Sequence, residues 1–112
     1  MIDNEFIEWL VSYAEGFKMF DGDVKWSEYS YISPSRIVSD NILYPLLLQR
    51  AIEGINKSNI IEHSIEQGIK GICVYLKNDS YGWLDKNFFF TNFKSIDKTK
   101  EEALFFIYAN TK

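Results

Sequence analysis

Apolar and polar positions along the chain alternate between helical and strand-like periods. Tyr44, Leu47, Leu48, Ala51, Ile52 and Ile55 recur at spacings of three and four, so residues 44–56 predict an amphipathic helix with this stripe turned inward and Leu46 alone off it. Pro45 is tolerated only in a first turn, and Gly54 with Asn56 is expected to stop the helix. An earlier helix is expected from Asp3 as N-cap through Phe6, Ile7, Trp9, Leu10, Val11, Tyr13 and Ala14, with Gly16 at its C-cap. Its polar residues Glu5, Glu8, Ser12 and Glu15 fall within an arc of roughly 80° at 100° per residue. A helix so apolar is either central to a core or covered by another chain.

Strand signals fill the intervals. Residues 17–20 and 23–26 flank Asp21-Gly22, the dipeptide that supplies the positive φ angles of a type I′ hairpin turn. Residues 27–41 are rich in Ser, Tyr and Asp and read as a loop or a short helical turn beginning at Pro34. Residues 69–76 form a strand, residues 78–80 a turn, and Tyr81-Gly82-Trp83-Leu84 the return. Asp85-Lys86-Asn87 then predicts a second turn before a further strand at residues 88–93. Residues 60–67 suit either a helix or a backward extension of the strand. Asp97 is expected to cap a last helix reaching about Ala109, with Leu104, Ile107 and Tyr108 on one face and Ala103 and Phe106 widening it. The sum is an α+β fold: one small antiparallel sheet packed with about three helices, as a single two-layer domain over residues 1–112.

Composition narrows the function classes. A chain of 112 residues with nine Phe, seven Tyr and three Trp can bury a core without metal or disulfide staples. The single Cys73 makes no internal disulfide, the acidic start Met1-Ile2-Asp3-Asn4-Glu5 is unlike a secretory leader, and no apolar run approaches the roughly 20 residues of a membrane span. The expectation is a cytoplasmic protein without membrane contact. Net charge is −4, and residues 1–28 hold seven acids against Lys18 and Lys25, a net −5. With only two arginines, Arg36 and Arg50, direct nucleic-acid binding is not expected; a protein partner with a basic surface is.

Catalytic and metal chemistry find little support. His63 is the only histidine, so no histidine-based zinc cluster can form. Cys73 and His63 could make a dyad, but a cysteine between Ile72 and Val74 reads as a small buried hydrophobe. Asp21-Gly22-Asp23 begins like a calcium loop, yet Lys25 stands at the third ligand position. No catalytic residue, metal ligand or cofactor is therefore assigned. The aromatic surplus is more informative. Trp26 with Tyr29 and Tyr31 lies in the loop-like segment near the acids Asp21, Asp23 and Glu28, and Tyr81-Gly82-Trp83 lies beside a turn; such aromatics are the residue types that protein-binding surfaces use as anchors. The same rings could instead stack on a nucleotide-like ligand, making the chain a sequestering protein or a small enzyme.

Residues 6–10 running to 14–17, and then residues 44–56, resemble small uncharacterised proteins encoded by bacteriophages and prophages. The resemblance implies an accessory protein that binds, and in some cases inhibits, a host or anti-phage defence protein. It brings no catalytic residues. The expected function is thus a non-enzymatic binding protein acting through Asp21, Asp23, Trp26, Glu28 and Trp83. A homodimer through the first helix, anchored by Trp9 and Tyr13, would cover that helix's apolar surface.

Overall fold

The computed structural model describes residues 3–58, 63–68, 71–78, 82–91 and 95–110, with the backbone alone at residue 63 and at 76–78 and 82–91. The fold is α+β, and the described residues form four helices and two three-stranded antiparallel sheets. The chain divides into two compact units, residues 1–54 and 55–112.

In the first unit, α1 (Asn4–Tyr13) begins where Asp3 Oδ1 accepts the Phe6 N–H at 2.9 Å, the expected N-cap. Phe6, Ile7, Leu10, Val11 and Ala14 are buried. Gly16 is not the helix cap. Ala14 holds that position, and Gly16, at φ +91°, is the third residue of a turn closed by the Phe17 N–H on the Ala14 carbonyl.

That turn delivers the chain into β1 (Lys18–Phe20), β2 (Asp23–Ser27) and β3 (Ser30–Ile32), paired in that order. Asp21 and Gly22 take φ +49° and +84°, the two positive angles expected of the hairpin turn. The third strand corrects the loop reading of residues 27–41. Tyr31 and Ile32 favour a strand, but a three-residue stretch among Ser, Glu and Pro gives no sequence signal, and its extended form is fixed by pairing with β2. Lys25 faces Tyr31 and Ser27 faces Ser30, which leaves Trp26 as the one extra residue of a β-bulge. Met19, Val24 and Ile32 share the inner face, with Val24 fully buried.

A short helix α2 (Pro34–Ile37) follows, with Pro34 in its first turn and Ile37 buried. Helix α3 (Leu43–Lys57) is capped by a residue that the sequence pattern does not mark. Asp40 Oδ1 accepts the Leu43 and Ile42 N–H groups at 2.7 and 2.9 Å, and these bonds hold its carboxyl below the usual carboxylate range. The expected stripe of Tyr44, Leu47, Leu48, Ala51, Ile52 and Ile55 is buried throughout, and Leu46 is exposed. Gly54 and Asn56 do not stop the helix, which runs past both to Lys57. Gly54 serves a close approach instead, because a Cβ there would overlap the carbonyl of Tyr13.

In the second unit, β4 (His63–Gln67), β5 (Gly71–Asn78) and β6 (Gly82–Thr91) form an antiparallel meander. Residues 63–67, left open by the sequence, are a strand. The Asn56 side chain clips its centre, donating to the Ile65 carbonyl and accepting the Ile65 N–H, each at 2.8 Å. No turn occurs at residues 85–87. β6 runs through them, and the turn-forming residues survive only as a register shift between the Tyr75–Asn87 and Lys77–Trp83 pairs. Helix α4 (Ile96–Asn110) packs on β5 and β6 and buries Ala103, Leu104, Ile107 and Tyr108. Its cap is Ser95, whose Oγ accepts the Lys98 N–H; Asp97 lies inside the first turn.

Candidate functional site

The sheet of the first unit brings together residues that are far apart in sequence. Alternation along the strands puts Lys18, Phe20, Asp23, Lys25 and Tyr31 on its outer face. Phe20 and Tyr31 are 49% and 42% exposed, and their ring centroids lie 5.7 Å apart. The Lys25 ammonium lies 5.6 Å from each centroid, a cation–π arrangement that ties the three side chains into one cluster. Tyr29, in the β2–β3 turn, is 84% exposed.

The acids expected at a binding surface do not gather in one place. Asp21 lies in the β1–β2 turn and Asp23 at the start of β2, whereas Glu28 lies in the opposite turn, roughly 16 Å away at the rise of an extended strand. They bracket the Phe20–Tyr31 cluster from two ends. Trp26 is half-buried, and its bulge sets it into an open cleft of about 300 Å³ lined by Gly16, Phe17, Lys18, Lys25, Trp26 and Ser27. The Trp83 side chain lies outside the described residues. Sequence reasoning missed Phe20, taking it for a hairpin residue, although the alternation Lys18, Phe20 was an available signal; Tyr31 was singled out with Trp26 and Tyr29 as a binding aromatic, but on a loop and not on the strand that carries it.

On α1, Trp9 and Tyr13 remain half-buried and pack edge to face at 5.3 Å, with Trp9 also stacked on Phe6. The rest of that helix's apolar surface is covered within the chain.

The second unit holds a polar cluster on its sheet. Cys73 is a buried free thiol, paired in register with Glu66, and Tyr75 lies two residues along the same face. Hydrogen bonds to Cys73 and then to Glu66 push the Tyr75 hydroxyl up to about 12. The Cys73–His63 dyad weighed above does not match the ladder. His63 pairs with Leu76 and Cys73 with Glu66, three positions apart in register. Among the described residues no three His, Cys, Asp or Glu side chains are grouped to hold a metal ion, and no helix is long and apolar enough to cross a membrane. In comparisons with known proteins, no family model, curated protein or solved structure matches the chain.

Proposed function

We propose that this chain is a non-enzymatic binding protein that docks a partner protein on the outer face of its N-terminal sheet. The observation that carries this reading is the Phe20–Tyr31–Lys25 cluster. Two large rings that could have been turned inward stand in solvent, side by side and held in place, as aromatic anchors of protein interfaces do. The partner has a basic surface. Asp21 and Asp23 at one end of the cluster and Glu28 at the other supply complementary charge, within a segment whose net charge is −5. The resemblance to phage accessory proteins suggests a host or anti-phage defence protein as that partner, with inhibition following from occupied surface.

Neutralising the acids tests the electrostatic half of the proposal. The triple substitution Asp21→Asn, Asp23→Asn, Glu28→Gln is expected to slow association with the captured partner and flatten its salt dependence, with a smaller effect on dissociation. Association unchanged in rate and salt dependence would remove the acidic flanks from the interface.

A further inference from the structure

The cleft beside that face has a chemistry of its own. Lys18 and Lys25 are directly opposite each other on β1 and β2, and like charges so placed destabilise a strand pair. Both line the cleft. A third cation adjoins it: the Arg50 guanidinium donates to the Glu15 carbonyl at 2.8 Å and packs against Gly16, where a Cβ would come within 3.1 Å of Nη1. Among the described residues none of these three cations is in an ion pair. Three cations without an acidic partner therefore converge at the cleft, Lys18 and Lys25 from the most acidic quarter of the chain and Arg50 from α3. The remaining lining is aromatic and small: the half-buried Trp26, the buried Phe17, Gly16 and the hydroxyl of Ser27. Trp26 reaches the cleft through the bulge in β2, a distortion that commonly re-aims a side chain next to a site.

We infer that this cleft binds a small organic anion carrying a flat ring, of nucleoside-monophosphate size, with Lys18 and Lys25 on the anionic group and Trp26 against the ring. A volume of about 300 Å³ accommodates such a molecule, and stacking on indole is tolerant of the base. An anion between the lysines also removes the cross-strand repulsion, so binding stabilises the hairpin. Lys25 belongs both to the cleft and to the Phe20–Tyr31 cluster, but Lys18 lies outside that cluster and the two rings do not line the cleft, so substituting Lys18 tests this site apart from the docking face.

The test is a thermal-shift and tryptophan-fluorescence titration with adenosine monophosphate, inorganic phosphate and adenosine, on the full chain and on Lys18→Glu. That substitution places an acid opposite Lys25, so the variant folds at least as well as the parent while the anion site is lost. Adenosine monophosphate is expected to raise the melting temperature in the millimolar range, with phosphate and adenosine each giving less. In Lys18→Glu its affinity should fall by about tenfold or more, as loss of a charge-assisted contact and gain of a repulsive charge require. No response to adenosine monophosphate, an equal response to adenosine, or an unchanged affinity in a folded Lys18→Glu overturns the inference.

Discussion

Gly54 lies against the backbone carbonyl of Tyr13, so close that no side chain at residue 54 is compatible with the position of α1. This contact fixes where the third helix passes the end of the first. Alanine is the better helix former by roughly 1 kcal/mol, so on propensity alone Gly54→Ala would stabilise α3. The contact reverses the sign. Gly54→Ala is expected to destabilise the protein by about 2 kcal/mol or more, because the obstacle is backbone and cannot rotate away. Denaturant unfolding of the variant measures this, and a neutral or stabilising result would mean that α1 and α3 are not in contact there.

Asn56 satisfies both backbone groups of Ile65, a residue whose side chain is buried. Asn56→Ala removes both bonds and is expected to cost about 1–2 kcal/mol. Asn56→Asp keeps the acceptor but turns a carboxylate oxygen toward the Ile65 carbonyl, so it should not rescue the loss. Hydrogen exchange at the Ile65 amide should accelerate in both variants.

The cap on α3 makes a pH-dependent contribution. Bonds from the Leu43 and Ile42 N–H groups lower the Asp40 pKa below its ordinary 3.8. A depressed carboxyl stabilises the folded state above its unfolded pKa, and that contribution is lost as pH falls through the lower, folded value. Wild type should therefore lose stability below about pH 3.8 more steeply than Asp40→Ala, which should already be less stable at neutral pH. Melting curves across that acid range check the sign; parallel curves would contradict it.

How far these features were legible in the sequence depends on whether local pattern or tertiary pairing creates them. The α3 stripe was readable because six apolar residues repeat at the helical period, and Asp21-Gly22 because few other dipeptides accept two positive φ angles. Strand β3 was not, since it exists through its ladder with β2. Gly54 was misread because a glycine near the end of a helix looks the same whether it caps or admits a neighbour. At residues 85–87 the turn residues were real, but a strand can absorb them as a register shift when its partner continues. At the candidate site, Trp26 was singled out without the bulge that orients it. Phe20 and Tyr31, eleven positions apart, meet only once three strands are in register.

In the second unit, the Tyr75 hydroxyl is held protonated by Cys73 first and Glu66 second, up to about 12. An acid whose folded pKa is raised contributes stability below its unfolded value of 10.0, and that contribution is lost as pH rises through about 12. Phenolate absorbance should show a titration step at about pH 12 that is absent in Tyr75→Phe. Cys73→Ala should bring that titration down, and a late step that persists in Cys73→Ala would shift the cause to Glu66.

The central claim is that the rings of Phe20 and Tyr31 form a docking surface, and the most direct test is a paired pull-down from host-cell lysate. Wild type and the double variant Phe20→Ala, Tyr31→Ala are used as baits side by side, after circular dichroism shows both folded. Truncating two interface anchors should cost roughly 2 kcal/mol or more each, enough to lose a micromolar complex. The account predicts a protein retained by wild type and absent from the double variant. Equal recovery of every protein on both baits, or none on either, would contradict it.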